Sequence, residues 1–477
     1  MKARSSEKIL IGKLLNVEQT TAKPYSLKRA KKSPMIMRPV AIILILNVSI
    51  SALSTAQKIN VAKMDSLFDA LAARELAMGS VSISQNGQVL YEKAIGYSYL
   101  DNLKKIPAST STKYRIGSGS KMFTAVMILQ LVEQGKIKLN DKLSDFFPSL
   151  PNANKITISH LLYHRSGLHN YTDETNFQQW MNKAITHDTL LKIIAGKGAR
   201  FDPGSQAEYS NSNYVVLSYI IEQVDKTSYA DALKKRIVSR IGLTNTAYGA
   251  HINVHNNESA SYKFADGGWR PEKETDMSIH SGAGSIVSTA ADMTRFIDAL
   301  FANRLIRKQS LAKMMTLVDG YGMGLFPLNH GTRIAYGHNG RIEEFYSSTR
   351  YFPVEKISVT YITNGIVYPR TDLLEGILKI CFNQPFTLPF SHPIRLESAD
   401  LDQYLGSYSS RQIPINVNCI KNGTKLLMQT GQATFEVEPI NENYFMHAHS
   451  GSFFEFFPGK SELLIKETDN VYFLKKK

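Results

Sequence analysis

The chain has 477 residues, of which 43% are hydrophobic, 20% charged and 10% aromatic. This composition is that of a folded globular protein of two or three domains, and it excludes disorder over most of the length. The net charge of +15 is uneven, because residues 1–38 carry +8 and the rest only +7. That remainder is spread along the chain and forms no long basic run, so we expect no nucleic-acid partner.

Residues 1–56 match the pattern of an export signal. Basic residues precede a short apolar stretch, 40–53, which small residues follow, and this pattern predicts cleavage after Ala56. Met35 or Met37 would start a signal of conventional length and is therefore a candidate true start. No stretch reaches about 18 apolar residues, so no stable transmembrane anchor is expected. An uncleaved tether is the alternative to a mature protein that is periplasmic or secreted by a bacterium.

Residues 57–382 alternate predicted strands with amphipathic helices. A turn at Asn86-Gly87 predicts a hairpin of residues 81–84 and 89–94. Strands are also predicted at 347–351 and 357–363, and helices at 118–134, 158–163, 214–224, 290–300 and 371–380. Hairpins at both ends with helices between them indicate an α+β fold, an antiparallel sheet flanked by helices, and not a doubly wound parallel sheet.

A proline-bearing stretch, 383–400, is predicted to be a linker. Beyond it, residues 401–477 contain short strands separated by turn signals, which predicts a small all-β module. The two cysteines, Cys381 and Cys419, allow either one disulfide or two buried thiols, and they fit no metal-ligand spacing.

Three Ser-x-x-Lys tetrads occur, and their contexts differ. The pairs are Ser5 with Lys8, Ser118 with Lys121, and Ser310 with Lys313. The second pair opens the most apolar helix predicted in the chain. A serine hydroxyl there would lie near unpaired backbone N–H groups, and a lysine one turn on could reach it. Burial would lower the lysine pKa and let it accept a proton. The alternative is that Ser118 only caps the helix and Lys121 extends to solvent.

Tyr209 and Asn211 form a second candidate pair. Of 23 tyrosines, only Tyr209 has an asparagine two residues on, and a predicted helix follows. A loop tyrosine near cations can act as a general base, because the neighbouring charge favours its phenolate. The asparagine amide offers a donor and an acceptor to a substrate amide. The alternative is a packed tyrosine beside a turn-forming asparagine.

The third signal is His-x-Gly, which occurs at His280, His338 and His449. Only the second of these directly precedes a predicted strand pair. A strand edge with a glycine lets a substrate backbone approach closely, and its amides can form part of an oxyanion hole. Each signal is weak alone, but the order and spacing of the three are specific.

This order of Ser-x-x-Lys, Tyr-x-Asn and His-x-Gly resembles the serine β-lactamase-like hydrolases. That family includes class C β-lactamases, low-molecular-weight penicillin-binding proteins, D-aminopeptidases and related esterases. The resemblance runs from about Lys63 to Phe382 and includes the segments ITISHLLYHRSGL, FDPGSQAEYSNSNYVVLSYII, IGLTNTAYG and SGAGSIVSTAADMTRF. Residues 401–408 resemble the start of the lipocalin-like module that follows such domains in some members.

Carried over residue by residue, the resemblance implies that Ser118 is the acylated nucleophile. Lys121 and Tyr209 would share the base and acid duties, in an order that the family leaves open. Asn211 would bind the substrate amide, and the backbone N–H groups of Ser118 and Arg341 would form the oxyanion hole. Neither a metal nor a cofactor belongs to this scheme.

His338 and Gly340 stand where other members have Lys-Thr-Gly. A histidine is a weaker and pH-dependent cation, so we expect poor β-lactamase activity unless Arg341 supplies the missing charge. His-x-Gly members of the family are more often linked to esters or D-amino-acid peptides. His164 and His169 are expected to be structural, since they lie within a framework segment.

The resemblance therefore implies an exported serine hydrolase that acts through an acyl-enzyme. Its substrate would be a small molecule or peptide that carries an ester or a D-amino-acid amide, with a peptidoglycan fragment as one candidate. The alternatives are a β-lactamase or D-Ala-D-Ala carboxypeptidase, or a non-catalytic relative that binds a cell-wall ligand.

Overall fold

The computed structural model describes residues 58–390, 394–411, 414 and 416–477. The export signal predicted over 1–56 lies outside these residues. The fold is mixed, with antiparallel sheets, helices and a C-terminal β-barrel, so the predicted α+β class with an all-β module is confirmed.

The helices of the described residues occur throughout the first domain. They are α1 (Val61–Ala73), α2 (Ser120–Glu133), α3 (Ile158–Leu162), α4 (Phe177–Trp180), α5 (His187–Gly196), α6 (Asn211–Asp225), α7 (Tyr229–Leu233), α8 (Ser239–Ile241), α9 (Ala290–Phe301), α10 (Lys308–Met315) and α11 (Arg370–Cys381). Among the described residues, no helix is both long and apolar enough to cross a membrane.

The strands form one large sheet, three small ones and a barrel. Those before the barrel are β1 (Ala77–Gln85), β2 (Gln88–Ile95), β3 (Tyr97–Leu100), β4 (Lys105–Pro107), β5 (Tyr114–Arg115), β6 (Ala247–Tyr248), β7 (Tyr262–Ala265), β8 (Gly268–Pro271), β9 (Ile286–Ser288), β10 (Phe326–Pro327), β11 (Tyr336–Ile342), β12 (Phe345–Phe352) and β13 (Ile357–Ile366). The large sheet is antiparallel with the order β10-β11-β12-β13-β1-β2.

The two central strands of this sheet, β1 and β13, are buried along their whole lengths. Helices must therefore cover both faces. On one face α2 and α9 belong to the main hydrophobic core, and on the other face α1 and α11 pack against β1 and β13. A sheet buried on both faces holds its strands firmly, which makes β11, next to the short edge strand β10, a rigid support for a site.

Helix α2 lies in the middle of the first core. Every residue from Ser120 to Leu131 is buried, as the nearly uniform apolar sequence predicted. The predicted start at Ser118 is wrong, because residues Gly117–Gly119 form a separate 3-10 turn before α2. Gly117 has φ +51°, a conformation that glycine adopts without steric cost and that interrupts the helix.

The C-terminal module is a closed barrel of eight strands, each paired with its neighbour in sequence. They are β14 (Gly406–Ser409), β15 (Asn416–Asn422), β16 (Lys425–Thr430), β17 (Ala433–Asn441), β18 (Tyr444–His447), β19 (Ser452–Phe457), β20 (Glu462–Lys466) and β21 (Val471–Lys476). Lipocalins have the same strand number and order. The sequence analysis missed β14 and β15.

The barrel packs against the part of the chain that precedes it. Ile440, Tyr444 and Phe453 of the barrel join the core that contains α1 and α11. Before the barrel, the side chains of Phe386, Leu388 and Phe390, in the segment predicted as a linker, pack on the same core.

The two cysteines lie in different parts of the fold, one on α11 and the other on β15. Cys381 and Cys419 are both buried and form no disulfide. Burial raises the pKa of each thiol to about 12. Of the two alternatives that the sequence allowed, the structure has buried thiols.

Candidate active site

The turn that carries Ser118 is held against strand β11 by two glycines. A Cβ on Gly117 would lie 2.7 Å from the carbonyl oxygen of Arg341, and a Cβ on Gly340 would overlap the carbonyl of Ile116. Ser347 also donates a hydrogen bond to that carbonyl at 2.8 Å. The backbones therefore approach so closely that only glycine fits, and Ser118 sits next to the Gly340–Arg341 peptide.

Lys121 is fully buried and is surrounded by oxygen atoms. Its Nζ lies 3.1 Å from Ser118 Oγ and donates at 2.8 Å to both Asn211 Oδ1 and the Ala283 carbonyl. Burial holds the Lys121 pKa well below its usual value. The alternative of a lysine that extends to solvent is wrong, and so is a capping Ser118, because Gly119 occupies the N-cap of α2.

Tyr209 lies on the other side of Ser118. Its phenol donates to Ser118 Oγ at 2.7 Å, and its ring lies 4.6 Å from that of His164. His164 Nδ1 accepts the Ser210 N–H at 3.2 Å, so this histidine supports the tyrosine from behind. Burial raises the Tyr209 pKa above its usual value. This shift is opposite to the one expected from nearby cations, because desolvation by burial favours the protonated phenol.

Asn211 is the first residue of α6. Its side chain connects two parts of the site, since Oδ1 accepts from Lys121 and Nδ2 donates to Thr172 Oγ1 at 3.1 Å. The Asn211 N–H donates to Asn170 Oδ1 at 2.9 Å. These bonds fix the side-chain amide, which lines a cavity together with Thr172 and Ile342.

His338 lies on β11 with its ring buried. Its Nδ1 bonds the Asn339 carbonyl, while the buried Nε2 has no hydrogen-bond partner among the described residues. Because a carbonyl can only accept, Nδ1 carries the proton and Nε2 presents a lone pair. Burial, assisted by Lys121, lowers the His338 pKa to about 3. At neutral pH His338 is uncharged, and it cannot act as the cation of Lys-Thr-Gly.

Arg341 follows on the same strand, but its guanidinium is already occupied. It pairs with Asp469 of the barrel at 2.6 Å and with Glu344 at 3.6 Å. The sequence suggested that Arg341 could supply the missing cation, whereas in the structure two carboxylates balance its charge.

A cavity of about 360 Å³ opens onto Ser118. Its walls are mostly aromatic or apolar, with His338, Gly340 and Arg341 along one side, and they include Tyr209, Phe326, Leu328 and Tyr346. Of the seven residues predicted from the sequence, five line this cavity, while Lys121 and Asn211 are connected to Ser118 through hydrogen bonds. A second cavity contains Asn211 and the carboxylates of Glu272, Glu343 and Glu344, accompanied by Lys273 and Arg341.

Several residues of the site were missed by sequence reasoning. The Ala283 carbonyl binds Lys121, and it lies in the segment SGAGS, which was identified only as framework. Thr172 and Tyr346 carried no motif. Asp469 comes from the barrel, and nothing in its sequence context connects it with Arg341. In the described part of the chain, no group of three His, Cys, Asp or Glu side chains could hold a metal ion.

The remaining motif residues lie apart from Ser118. Lys313 is on α10 and His449 is in the barrel, while Ser5 and Lys8 lie outside the described residues. His169 Nε2 lies 2.7 Å from Glu174, an ion-pair geometry that ties down a loop.

Comparison with known proteins agrees with this geometry. A family model described as Beta-lactamase matches residues 64–377, more than half of the chain. Penicillin-binding protein 4* of Bacillus subtilis is 28% identical over 429 residues, which cover 80% of this chain and 90% of that protein. The teichoic acid D-alanine hydrolase of Staphylococcus aureus is 26% identical, over 59% of this chain and 70% of the relative.

Among solved structures, the D-amino acid amidase of Ochrobactrum anthropi SV3 in complex with D-phenylalanine is similar. It superposes with a TM-score of 0.59 at 25% identity, covering 68% of this chain and 98% of the amidase. Fold, cavity and family model agree. The chain belongs to the beta-lactamase family of serine hydrolases.

Proposed function

We propose that the protein hydrolyses esters or D-amino-acid amides through an acyl-enzyme on Ser118. The observation that carries this proposal is the contact of Ser118 Oγ with both a buried lysine and a phenol, at 3.1 and 2.7 Å. A serine that served only packing would not need two proton-transfer groups within hydrogen-bond reach.

The acylation step follows from the protonation states. Neutral Lys121 takes the proton of the Ser118 hydroxyl, and Oγ attacks the substrate carbonyl carbon. The carbonyl π-bond opens and its oxygen becomes an oxyanion. The N–H groups of Ser118 and Arg341 are proposed to stabilise that charge, because the Gly117–Ser118 turn lies against the Arg341 peptide.

Collapse of the tetrahedral intermediate expels the leaving group. The protonated Tyr209 phenol, which is bonded to Ser118 Oγ, is positioned to give its proton to the departing alkoxide or amine. Lys121 then returns its proton to Tyr209, which restores both groups to their resting states. In deacylation a water molecule repeats the sequence, with Ser118 as the leaving group.

The surroundings of the cavity favour substrates without a carboxylate near the carbonyl. His338 is uncharged, Arg341 is paired with Asp469 and Glu344, and Glu272 and Glu344 line the adjoining cavity. The names of two relatives, a teichoic acid D-alanine hydrolase and a D-amino acid amidase, agree with an ester or amide of a D-amino acid. Such a substrate offers an ammonium group instead of a carboxylate.

The hydrolysis rates of an ester, an amide and a penicillin, measured for wild type and Ser118→Ala, test this proposal. A p-nitrophenyl ester of D-alanine and D-phenylalanine amide should be hydrolysed faster than benzylpenicillin, and Ser118→Ala should abolish all three activities. Faster turnover of the penicillin would refute the substrate class. Turnover that survives in Ser118→Ala would refute the mechanism.

We also propose that the protein is exported, on the basis of the signal pattern in residues 1–56. Amino-terminal sequencing of protein recovered from a bacterial host's periplasm or medium should begin near Gln57. Recovery of a chain with residues 1–34 intact would refute both the cleavage site and the later start.

A further inference from the structure

The Arg341 guanidinium at the cavity is paired with a residue of the C-terminal barrel. Arg341 Nη1 donates to Asp469 Oδ2 at 2.6 Å, and Asp469 lies in the turn between β20 and β21. The second carboxylate oxygen, Oδ1, accepts from Arg370 Nη1. One carboxylate of the barrel therefore balances two arginines of the hydrolase domain.

One arginine lines the Ser118 cavity, and the other packs behind a residue that lines it. Arg341 lines it directly, while the Arg370 guanidinium lies 4.5 Å from the ring centre of Tyr346, which also lines it. The Arg370 side chain is only 6% exposed. A buried guanidinium needs a counter-ion, because water cannot compensate its charge. Asp469 supplies that counter-ion from another module.

We propose that Asp469 is a specificity-determining residue of the hydrolase site, acting through Arg341. The pairing keeps the Arg341 guanidinium turned toward the barrel, and so withdraws from the cavity the cation that would bind a substrate carboxylate. The barrel thereby selects neutral or cationic acyl groups. This inference rests on the proposed function at Ser118, since it assigns the charge that the same site accepts.

The alternative state of Arg341 is easily reached. Its side chain is 51% exposed, so rotation of the long side chain meets little packing resistance. With Asp469 neutralised, the Glu344 carboxylate at 3.6 Å and the Glu343 carbonyl at 3.5 Å remain as partners of the guanidinium. A planar guanidinium binds a carboxylate through two parallel hydrogen bonds. Arg341 would then resemble the cation that Lys-Thr-Gly provides in other members of the family.

The barrel has other attachments to the hydrolase domain, and these provide a control. Lys466 Nζ and Tyr444 Oη both donate to Asp372 Oδ2 of α11, at 2.8 and 3.0 Å. The ring of Phe453 packs edge-on against Tyr368. Lys466→Met therefore weakens docking of the barrel without changing the contacts of Arg341, and it serves as the control. Asp469→Asn removes the negative charge at position 469 and keeps the shape of the side chain.

The test measures kcat/KM of the full-length protein for two esters of similar size, p-nitrophenyl butyrate and the anionic p-nitrophenyl hemisuccinate. Asp469→Asn should raise the anionic-to-neutral ratio about ten-fold, mainly through a lower KM for the anion. Asp469→Ser should give the same shift, and Asp469→Glu should keep the wild-type ratio. Arg341→Gln in the Asp469→Asn background should abolish the gain.

An unchanged ratio in Asp469→Asn, or an equal shift in Lys466→Met, would overturn the proposal.

A binding measurement separates this proposal from the catalytic one. Calorimetry in a Ser118→Ala background measures binding alone, because Ser118 is no longer present to be acylated. In that background, Asp469→Asn should bind benzylpenicillin about ten-fold more tightly. No gain in affinity would overturn the role of Asp469 even if Ser118 is the nucleophile. If wild type hydrolyses neither ester but this gain in affinity is found, the proposed hydrolytic function is refuted and the role of Asp469 stands.

Discussion

Lys121 Nζ lies 3.1 Å from Ser118 Oγ and 2.8 Å from two acceptors that cannot donate to it, Asn211 Oδ1 and the Ala283 carbonyl. A neutral amine has two N–H groups and one lone pair. The two acceptors take the two N–H groups, so the lone pair is left for the serine hydroxyl. The same burial that lowers the Lys121 pKa thus produces a base whose orientation is fixed before substrate arrives.

Lys121→Arg should abolish this base while keeping a long cationic side chain. A guanidinium cannot be deprotonated near neutral pH, so kcat/KM for p-nitrophenyl butyrate should fall about 10²- to 10⁴-fold. In wild type the acylation rate should rise with pH and reach its plateau well below the usual lysine pKa of 10.5. Stopped-flow rates between pH 5 and 9 measure both effects. A Lys121→Arg rate equal to wild type would exclude lysine as the base.

Tyr209→Phe should impair departure of the leaving group more than attack by Ser118. The variant keeps the ring that packs on His164 but loses the phenolic proton. Turnover of an alkyl ester or an amide, whose leaving group needs that proton, should fall about 10²- to 10⁴-fold. Acylation by a p-nitrophenyl ester, followed as the initial burst of p-nitrophenolate, should lose much less, because that leaving group departs as a stable phenolate. Equal losses for both substrate types would contradict the role of Tyr209 as the acid.

His338→Lys should raise turnover of anionic substrates relative to neutral ones. The native ring is uncharged, since its pKa lies near 3, and a lysine would restore the cation of Lys-Thr-Gly. A charge-assisted hydrogen bond corresponds to about a ten- to a hundred-fold gain. The ratio of kcat/KM for a cephalosporin and a neutral ester measures it. If this ratio does not change, charge at position 338 does not control substrate choice.

The stability of the protein should decline as the pH falls from about 6.5 toward about 3. His280 and His338 are both buried, and burial lowers each pKa to about 3. Between these pH values the unfolded chain binds protons that the folded chain refuses, so each histidine removes up to about 1.4 kcal/mol of unfolding free energy per pH unit.

His280→Gln should make the unfolding free energy depend less steeply on pH, because about one proton fewer is then taken up on unfolding. His280 contacts the Tyr171 hydroxyl at 2.9 Å, and a glutamine can keep a hydrogen bond there without titrating. Urea denaturation of both proteins at pH 7, 6 and 5 gives the slopes. Identical slopes would mean that His280 titrates in the folded state with its ordinary pKa.

Much of the hydrolase fold follows from local patterns. The turn at Asn86-Gly87 predicted the β1–β2 hairpin, and the uniformly apolar helix predicted the buried α2. The strands β14 and β15 were missed. In β15, asparagines at 416, 418 and 422 alternate with Val417 and Cys419, and asparagine is depleted in strands, so the alternation carried little signal.

The residues of the site were predictable because each lies in a short motif, whereas their charges were not. Whether Tyr209 favours a phenolate depends on how completely the folded core excludes water, and sequence spacing does not encode that. The pairing of Arg341 with Asp469 joins residues 128 positions apart and depends on how the barrel docks. The sequence therefore predicted residues that the structure brings together around Ser118, but it left the charge state of the cavity open.

Intact-mass spectrometry after exposure to a fluorophosphonate is the sharpest test of acylation at Ser118. Wild type should gain the mass of one adduct, peptide mapping should find it on Ser118, and Ser118→Ala should gain none. Ser310→Ala, which alters the serine of another Ser-x-x-Lys tetrad, should be labelled as wild type is. An adduct that persists in Ser118→Ala, or that maps to a different serine, would contradict an acyl-enzyme mechanism at Ser118.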